Sequence, residues 1–172
     1  MNKRIKQLIE DYISFNPMTI NNDTENNSKS MLHRDIVNKS LNIHYPKNKQ
    51  ELRKLVTNYL ENGKTDFNDI DVSGIDDFSF VFMGLDPGDI DLSDWNVSNG
   101  KNFFGMFAEC HNFNSDLSNW NVSNGISFEC MFKNCMYFSS DLSGWNVNNG
   151  LAFKDMFKGC EDYIKFNFVK KL

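Results

Sequence analysis

A 25-residue sequence that occurs three times without a gap is the feature that most constrains the fold of this chain. The copies begin at Asp91, Asp116 and Asp141, and the first reads DLSDWNVSNGKNFFGMFAECHNFNS. Equivalent residues therefore form columns, of which the clearest are tryptophan (Trp95, Trp120, Trp145), phenylalanine (Phe107, Phe132, Phe157) and cysteine (Cys110, Cys135, Cys160). A fixed period of this length is typical of proteins built from stacked structural repeats.

A fourth, more divergent copy precedes these three at residues 66–90. Phe78 and Phe82 stand at its two phenylalanine positions, whereas Leu85 replaces the cysteine. We therefore count four repeats, which together span residues 66–165.

Each repeat predicts a short strand followed by a short helix. In the first half of the Asp91 copy, Trp95 and Val97 alternate with polar residues, which is the period of a strand. In the second half, the apolar residues of positions 103–110 follow the i, i+3, i+4, i+7 spacing of one helix face. Gly100 lies between the halves, where we expect a corner at which positive φ costs glycine little.

Two polar columns are predicted to have structural roles. The asparagines can form an amide ladder in which each side chain bonds backbone or the next repeat (Asn99, Asn124, Asn149). The aspartates that open the repeats are expected to accept hydrogen bonds from local backbone amides (Asp91, Asp116, Asp141).

The tryptophan and cysteine columns are predicted to lie in the core. The tryptophans share the strand parity of the valines, and the three repeated cysteines share the apolar helix face. Cys130 differs, because its column holds Gly105 and Asp155, and we expect it to be exposed. Cysteines separated by a whole repeat lack the C-x-x-C pairs that zinc sites favour, so we predict no metal site and no cofactor. Cysteines predicted to be buried thiols, together with the lack of a signal peptide, indicate a reducing compartment.

The pattern D-L-S-x-W-N-V-S-N…M-F-x-x-C-x-x-F resembles the BspA-like leucine-rich-repeat proteins. The resemblance covers residues 66–165, and residues 45–56 form a lead-in of similar character. This chain departs from the family after S-N, where it has glycine and the family usually continues V-T. The resemblance implies a right-handed solenoid that binds other macromolecules, and it implies no catalytic chemistry. Many members of the BspA-like family are surface or secreted proteins.

Together these patterns predict an α/β fold, a short right-handed leucine-rich-repeat-like solenoid of four 25-residue strand–helix turns with an α-helical N-terminal cap. Residues 1–65 form the helical N-terminal region and cap, residues 66–165 the solenoid, and residues 166–172 a closing strand.

Within the N-terminal region we predict an amphipathic helix over residues 3–14, a loop over residues 16–30 and a short helix over residues 31–40. Asn48 and Glu51 form a capping pair that starts a longer helix, and Gly63 ends it.

The charge of the chain is distributed unevenly. Residues 66–165 contain 16 Asp or Glu and five Lys or Arg, a net charge of −11, whereas residues 1–65 have a net charge of +4. An acidic repeat region does not favour direct binding of nucleic acid. No apolar run is long enough to span a membrane, and the first fifteen residues lack a signal-peptide core. We therefore expect a cytoplasmic protein, or a surface protein if a leader has been removed.

The first repeat is the most acidic part of the chain, with seven carboxylates and no Lys or Arg in residues 66–90. It can be interpreted as a solvated acidic face, as a docking patch for a basic partner or as a calcium site, although the spacing does not reproduce an EF-hand loop. The polar positions of the predicted strands extend this candidate surface. One phenylalanine extends it as well, because it directly follows a phenylalanine predicted to face the core and should therefore point outward. The candidate partner-binding residues are Asp69, Asp71, Asp76, Asp77, Asp86, Asp89, Asp94, Asn96, Asn119, Asn121 and Phe104.

The sequence favours a non-enzymatic module that binds another protein with a basic surface. No glycine-rich phosphate loop, G-x-S-x-G or H-E-x-x-H motif is present, so we predict no enzymatic activity. Two alternatives remain open. One is a small acidic intracellular inhibitor, of the type encoded by phages or mobile elements, that blocks the basic nucleic-acid groove of a defence or processing enzyme. The other is a fragment of a bacterial surface protein or adhesin.

Overall fold

The structure is a computed structural model that describes Gln7 and residues 42–163. Among the described residues, α-helix α1 spans Lys49–Glu61, and Gln7 and residues 161–163 are also helical. Turns and isolated β-bridges make up almost all of the remaining described chain. The predicted elements at residues 3–14, 16–30, 31–40 and 166–172 lie outside the described residues, apart from Gln7.

The predicted α/β solenoid of strand–helix turns is wrong. Between residues 64 and 160 the chain forms no helix and no strand longer than a single bridge. Parallel bridges nevertheless join equivalent positions of successive repeats, as at Asp77, Asn102, Ser127 and Ala152. The repeats are therefore stacked in register, but each repeat is built from turns.

Consecutive β-turns occupy the segment that the spacing predicts as a helix. In the first repeat the N–H groups of Val81, Met83 and Leu85 donate to the carbonyl three residues earlier, at 2.9–3.3 Å. The third residues of the first and last of these turns, Phe80 and Gly84, have φ of 63° and 69°, as type II turns require. The same two columns have positive φ in every repeat: Phe80, Gly105, Cys130 and Asp155, then Gly84, Glu109, Asn134 and Gly159. Two left-handed residues four positions apart cannot belong to a right-handed helix.

Backbone hydrogen bonds join each repeat to the next along this segment. Every second N–H donates to a carbonyl of the following repeat, since the intervening N–H groups close the β-turns. In the second repeat the donors are Phe103, Gly105, Phe107 and Glu109, and the acceptors are Ser127, Glu129, Met131 and Lys133, at 2.8–2.9 Å. Along this segment each repeat therefore presents donors to the repeat that follows it and acceptors to the repeat that precedes it, whereas near the corner the N–H groups of Lys101, Ile126 and Leu151 donate to the preceding repeat.

Aromatic rings continue the register into the core. One column consists of Phe78, Phe103, Phe128 and Phe153, with neighbouring ring centroids 5.3–5.4 Å apart. A second consists of Phe82, Phe107, Phe132 and Phe157, with spacings of 5.2–5.7 Å. The three tryptophans are buried, as predicted, and each indole N–H donates to a backbone carbonyl of the preceding repeat.

Two further columns cross between repeats through side-chain hydrogen bonds. Cys110, Cys135 and Cys160 are fully buried, as predicted, and each thiol donates to a backbone carbonyl of the preceding repeat. The predicted asparagine ladder is confirmed, because the side-chain amides of Asn99, Asn124 and Asn149 donate to the carbonyls of Ser73, Ser98 and Ser123 at 2.7–2.8 Å. Core and corner polar groups are thus satisfied by the neighbouring repeat.

The glycine between the two halves of the last three repeats is required by packing and not by the positive φ that its position predicts, whereas the first repeat has Ile75 at this position. Gly100, Gly125 and Gly150 all lack positive φ. A Cβ atom on Gly125 would lie 2.2 Å from Cζ of Phe128, and the other two glycines have equivalent contacts with Phe103 and Phe153. The ring three residues ahead packs against the glycine backbone and leaves no space for a side chain.

Helix α1 covers the N-terminal end of the stack. Its N-cap Asn48 accepts a hydrogen bond from the N–H of Glu51 at 3.0 Å, which confirms the predicted cap. Leu52 and Val56 are fully buried against the first repeat. The helix ends at Glu61, and Gly63 follows with φ of 68°, in agreement with the predicted stop.

Side chains of α1 also replace the hydrogen-bond donors that a preceding repeat would supply. The guanidinium of Arg53 donates to the carbonyls of Phe80, Val81 and Met83. Val81 and Met83 occupy the columns of Met106 and Ala108, whose carbonyls accept from the preceding repeat within the stack. Arg53 therefore caps the acceptor edge of the first repeat.

We predict that Gly125→Ala lowers the free energy of unfolding by roughly 1–3 kcal/mol, because the new methyl group overlaps the ring of Phe128. Gly144→Ala is the matched control, since its Cβ would meet nothing closer than 3.9 Å. Urea denaturation followed by tryptophan fluorescence measures both values. Equal stability of the two variants would contradict the packing role of Gly125.

We also predict that Cys130→Gly is about 1 kcal/mol more stable than Cys130→Ala. Both variants lose the thiol, but only glycine adopts the φ of 55° at this position without steric cost. Thermal denaturation of the pair provides the measurement. A less stable glycine variant would show that residue 130 does not adopt the left-handed conformation.

Candidate interaction surfaces

The carboxylates of the acidic first repeat are largely engaged within the chain. Asp77 pairs with Lys49 of α1 at 2.7 Å, and Asp76 pairs with Lys101 of the second repeat at 3.5 Å. Asp69 pairs with Lys64. Partial burial opposes ionisation of Asp77, but hydrogen bonds from Lys49 and Ser79 outweigh it and hold the pKa of this carboxyl below its usual value.

Asp71 does not face solvent, so its predicted outward position is wrong. Only 5% of the residue is exposed, and its carboxylate accepts a hydrogen bond from the N–H of Ser73 at 2.9 Å. His44 forms the cover, because its carbonyl accepts from the N–H of Asp71 and its N–H donates to the carbonyl of Asp69. The first repeat therefore does not form the continuous acidic patch that its composition predicts.

Exposed carboxylates instead follow one column along the stack. Asp66, Asp91, Asp116 and Asp141 are all exposed, and each accepts a hydrogen bond from the N–H two residues ahead. This confirms the predicted local role of the last three. Asp89 is exposed and lines the same open groove as the first three members of the column. Asp86 is half-buried and accepts from the backbone and side chain of Asn112, both at 2.6 Å.

The polar residues of the predicted strands do not form a sheet face, because the described residues contain no sheet. Asn96 and Asn121 accept from the N–H groups of Ser98 and Ser123, at 3.2 and 3.1 Å, and so close local turns. Asp94 is half-buried, whereas Asn119 is exposed.

Phe104 points away from the core, as predicted, and is half-buried by an aromatic residue of the preceding repeat. Its ring meets the ring of Phe80 edge to face, with centroids 4.9 Å apart and an interplanar angle of 84°. Phe80 and Met83 are each 40% exposed. We call Phe80, Met83 and Phe104 the aromatic patch, and Phe104 is its only member that the sequence analysis identified.

The aromatic patch has one signal in the sequence that can be recognised in retrospect. Gly105 stands in the column of Phe80, and a Cβ atom on Gly105 would lie 2.9 Å from the Phe80 ring. The glycine therefore provides the space in which the ring lies. A column in which one repeat has an aromatic residue and the next repeat has glycine indicates this kind of packing between repeats.

A second apolar surface lies at the C-terminal end of the stack. Leu151 is 85% exposed and Phe153 is 41% exposed, whereas Phe103 and Phe128 of the Phe153 column are fully buried. Val147 is likewise exposed, although the valines of its column in the two preceding repeats are buried. We call the exposed side of residues 147–159 the C-terminal edge.

The buried cysteines are thiols without nucleophilic character at neutral pH. Burial raises the pKa of Cys110 and of Cys160 to about 11. Burial, followed by the proximity of the other two thiols, also raises the pKa of Cys135 above its ordinary value. Because the thiolate is the reactive form, these groups are poorly suited to nucleophilic catalysis.

Within residues 42–163, no three His, Cys, Asp or Glu side chains are arranged to hold a metal ion. The part of the chain that the structure describes also contains no helix of the length and apolar character that crossing a bilayer requires.

Comparison with known protein families identifies the family of this chain. A family model described as Mycoplasma protein of unknown function, DUF285, matches residues 50–167. The match extends from α1 through all four repeats and covers more than half of the sequence. The chain therefore belongs to this family, which is related to the BspA-like repeat proteins. Comparisons with curated proteins and with solved structures gave no match.

Cys130 is half-buried and not fully exposed as its column predicts. We predict that a maleimide reagent still labels it rapidly and labels the three buried cysteines only on unfolding. The pKa values of Cys110 and Cys160 are raised in the folded state, so their contribution to stability is complete below the unfolded thiol pKa of about 9. It is lost as the pH rises from there through about 11. Mass spectrometry of labelled peptides and denaturation at several pH values test both statements. Rapid labelling of all four thiols, or a stability that does not fall above pH 9, would contradict them.

Proposed function

We propose that this chain is a non-enzymatic protein-interaction module that binds a partner protein through the aromatic patch. The observation that carries the proposal is the backbone of Phe80, which has a φ of 63° although its ring is 40% exposed. A bulky residue in the left-handed region is a genuine outlier, and the conformation costs about 1–2 kcal/mol.

The fold does not require phenylalanine at this position. The other repeats place Gly105, Cys130 and Asp155 in the same column with the same positive φ, and these residues are smaller or polar. The fold therefore accounts for the left-handed backbone of this column, but it does not account for a bulky ring there that remains 40% exposed. Strain that the surrounding structure maintains is concentrated at functional sites, which supports a binding role for this residue.

The aromatic patch also has the composition and rigidity of an interface centre. Aromatic residues and methionine are enriched where proteins bind each other. Arg53 fixes the backbone of Phe80 and Met83 through their carbonyls, and Phe104 supports the Phe80 ring from the side. Because these groups are held before binding, little conformational entropy is lost on association.

The inhibitor alternative depends on an acidic surface that recruits a basic groove. In the first repeat, ion pairs with Lys49, Lys64 and Lys101 reduce the charge available for that role. The exposed column that includes Asp91 and Asp116 is the remaining acidic surface. A partner recruited by that column would associate more slowly as the salt concentration rises.

We predict that Phe80→Asp weakens partner binding at least tenfold without unfolding the chain. Aspartate is the residue of this column in the fourth repeat, where Asp155 has a φ of 56°, so the backbone conformation is compatible with it. Tyr137→Asp is the matched control, because Tyr137 is the more exposed ring and lies outside the aromatic patch. Affinity capture with the parent and both variants identifies partners that the parent and the control retain.

Titration of each captured partner should then give at least a tenfold weaker Kd for Phe80→Asp and an unchanged Kd for Tyr137→Asp. Equal affinity of all three proteins for every partner would contradict the role of the aromatic patch. Binding that survives Phe80→Asp but weakens strongly with salt would favour the acidic column and the inhibitor alternative instead.

A further inference from the structure

The C-terminal edge contains a row of backbone donors that the register of the stack leaves open. In the third repeat the N–H groups of Phe128, Cys130, Phe132 and Asn134 donate to carbonyls of the fourth repeat at 2.7–3.0 Å. The equivalent donors of the fourth repeat are Phe153, Asp155, Phe157 and Gly159. No carbonyl of the described residues accepts a hydrogen bond from these four N–H groups.

Apolar surface accompanies this row of donors. The exposed side chains of Leu151 and Phe153 lie beside the first donor, and Val147 precedes them in the same repeat. In the inner repeats, the following repeat covers the corresponding valine and phenylalanine completely. The edge therefore combines the two features that join repeats within the stack, a row of N–H donors and an uncovered aromatic column.

A second copy of the chain fits this edge poorly. In a head-to-tail arrangement the incoming acceptor edge would be that of the first repeat, where Arg53 already occupies the carbonyls of Val81 and Met83. In a tail-to-tail arrangement two rows of donors would face each other. The complementary occupant is a segment of another protein that has free carbonyl groups and apolar side chains and adopts the consecutive turns of an inner repeat.

We propose that the C-terminal edge is a docking site for a segment of a partner protein that adopts the turns of an inner repeat and carries aromatic or aliphatic side chains. The carbonyls of the segment accept from the N–H groups of Phe153, Asp155, Phe157 and Gly159. Its apolar side chains cover Phe153, Leu151 and Val147. This is recognition by addition to an open backbone edge, in which main-chain hydrogen bonds supply affinity and side chains supply specificity. The site lies outside the aromatic patch and does not depend on the function proposed for it.

Amide hydrogen exchange of the full chain, followed by NMR, tests the proposal with a defined probe. The probe is a synthetic peptide of residues 91–115, whose sequence contains the acceptor segment of an inner repeat, and a scrambled peptide of the same composition is the control. In the free protein we expect the four N–H groups to exchange rapidly. Saturating probe should slow their exchange at least tenfold, and the scrambled peptide should have no effect.

Two variants locate the binding. Leu151→Asp should weaken the Kd of the probe at least tenfold without loss of stability, because this side chain is 85% exposed. Met83→Asp, in the aromatic patch, should leave the Kd unchanged. The two variants distinguish the two sites. Met83→Asp should lose only the partner binding that depends on the aromatic patch, and Leu151→Asp should lose only the binding of the probe.

Three results would overturn the proposal. Slow exchange of the four N–H groups in the dilute free protein would show that another part of the chain already covers the edge. Slow exchange that becomes rapid on dilution would identify a second copy as the occupant. Exchange that stays rapid with both peptides would show that the edge does not accept an added segment.

Discussion

The row of backbone hydrogen bonds between successive repeats is the constraint on which the rest of this structure depends. Each bond joins an N–H to the carbonyl at a fixed position of the next repeat, so every repeat must have the same length. Given that register, the phenylalanine columns repeat at 5.2–5.7 Å, and the buried indole and thiol groups and the exposed asparagine amides find acceptors in the preceding repeat. A single inserted residue would displace all of these contacts together.

The same hydrogen bonds explain why the two ends of the stack differ. The first repeat ends in carbonyls, and a cationic side chain of α1, Arg53, can satisfy several of them at once. The turn segment of the fourth repeat, residues 153–159, ends in N–H groups, which require acceptors. Helix α1 is thus the N-terminal counterpart of a repeat, with side-chain donors in place of backbone donors. Both proposed binding surfaces follow from this arrangement, since one lies where Arg53 fixes the backbone and the other where the described residues provide no such cap.

The sequence predicts the columns well and the backbone poorly, and the reason is physical. Burial of Trp120, Phe132 and Cys135 follows from the repeat and from side-chain parity. The apolar residues of 103–110 have the spacing of one helix face. Consecutive β-turns fit this spacing equally well, because they too direct the side chains at these positions into the core. Gly84, Asn134 and Gly159 in one column were the available signal, since glycine and asparagine accept positive φ and are poor interior residues of a helix.

The candidate sites were less predictable, because they depend on contacts between residues distant in sequence. Seven carboxylates without a nearby cation indicate an acidic patch until the register brings Lys49 to Asp77 and Lys101 to Asp76. Phe104 could be identified as outward-facing from its neighbours alone. Phe80 could not, because the exposure of its ring depends on a left-handed backbone that the periodicity does not reveal.

The most direct test of a stack of turns is the pattern of nuclear Overhauser effects in the isotope-labelled chain. The structure predicts cross-peaks between the rings of Phe103 and Phe128 and between those of Trp95 and Trp120, whose centroids lie 5.4 and 6.3 Å apart. It also predicts no helical series of i to i+3 and i to i+4 contacts over 103–110. A continuous helical series in this segment, without ring contacts between equivalent positions of successive repeats, would contradict the account.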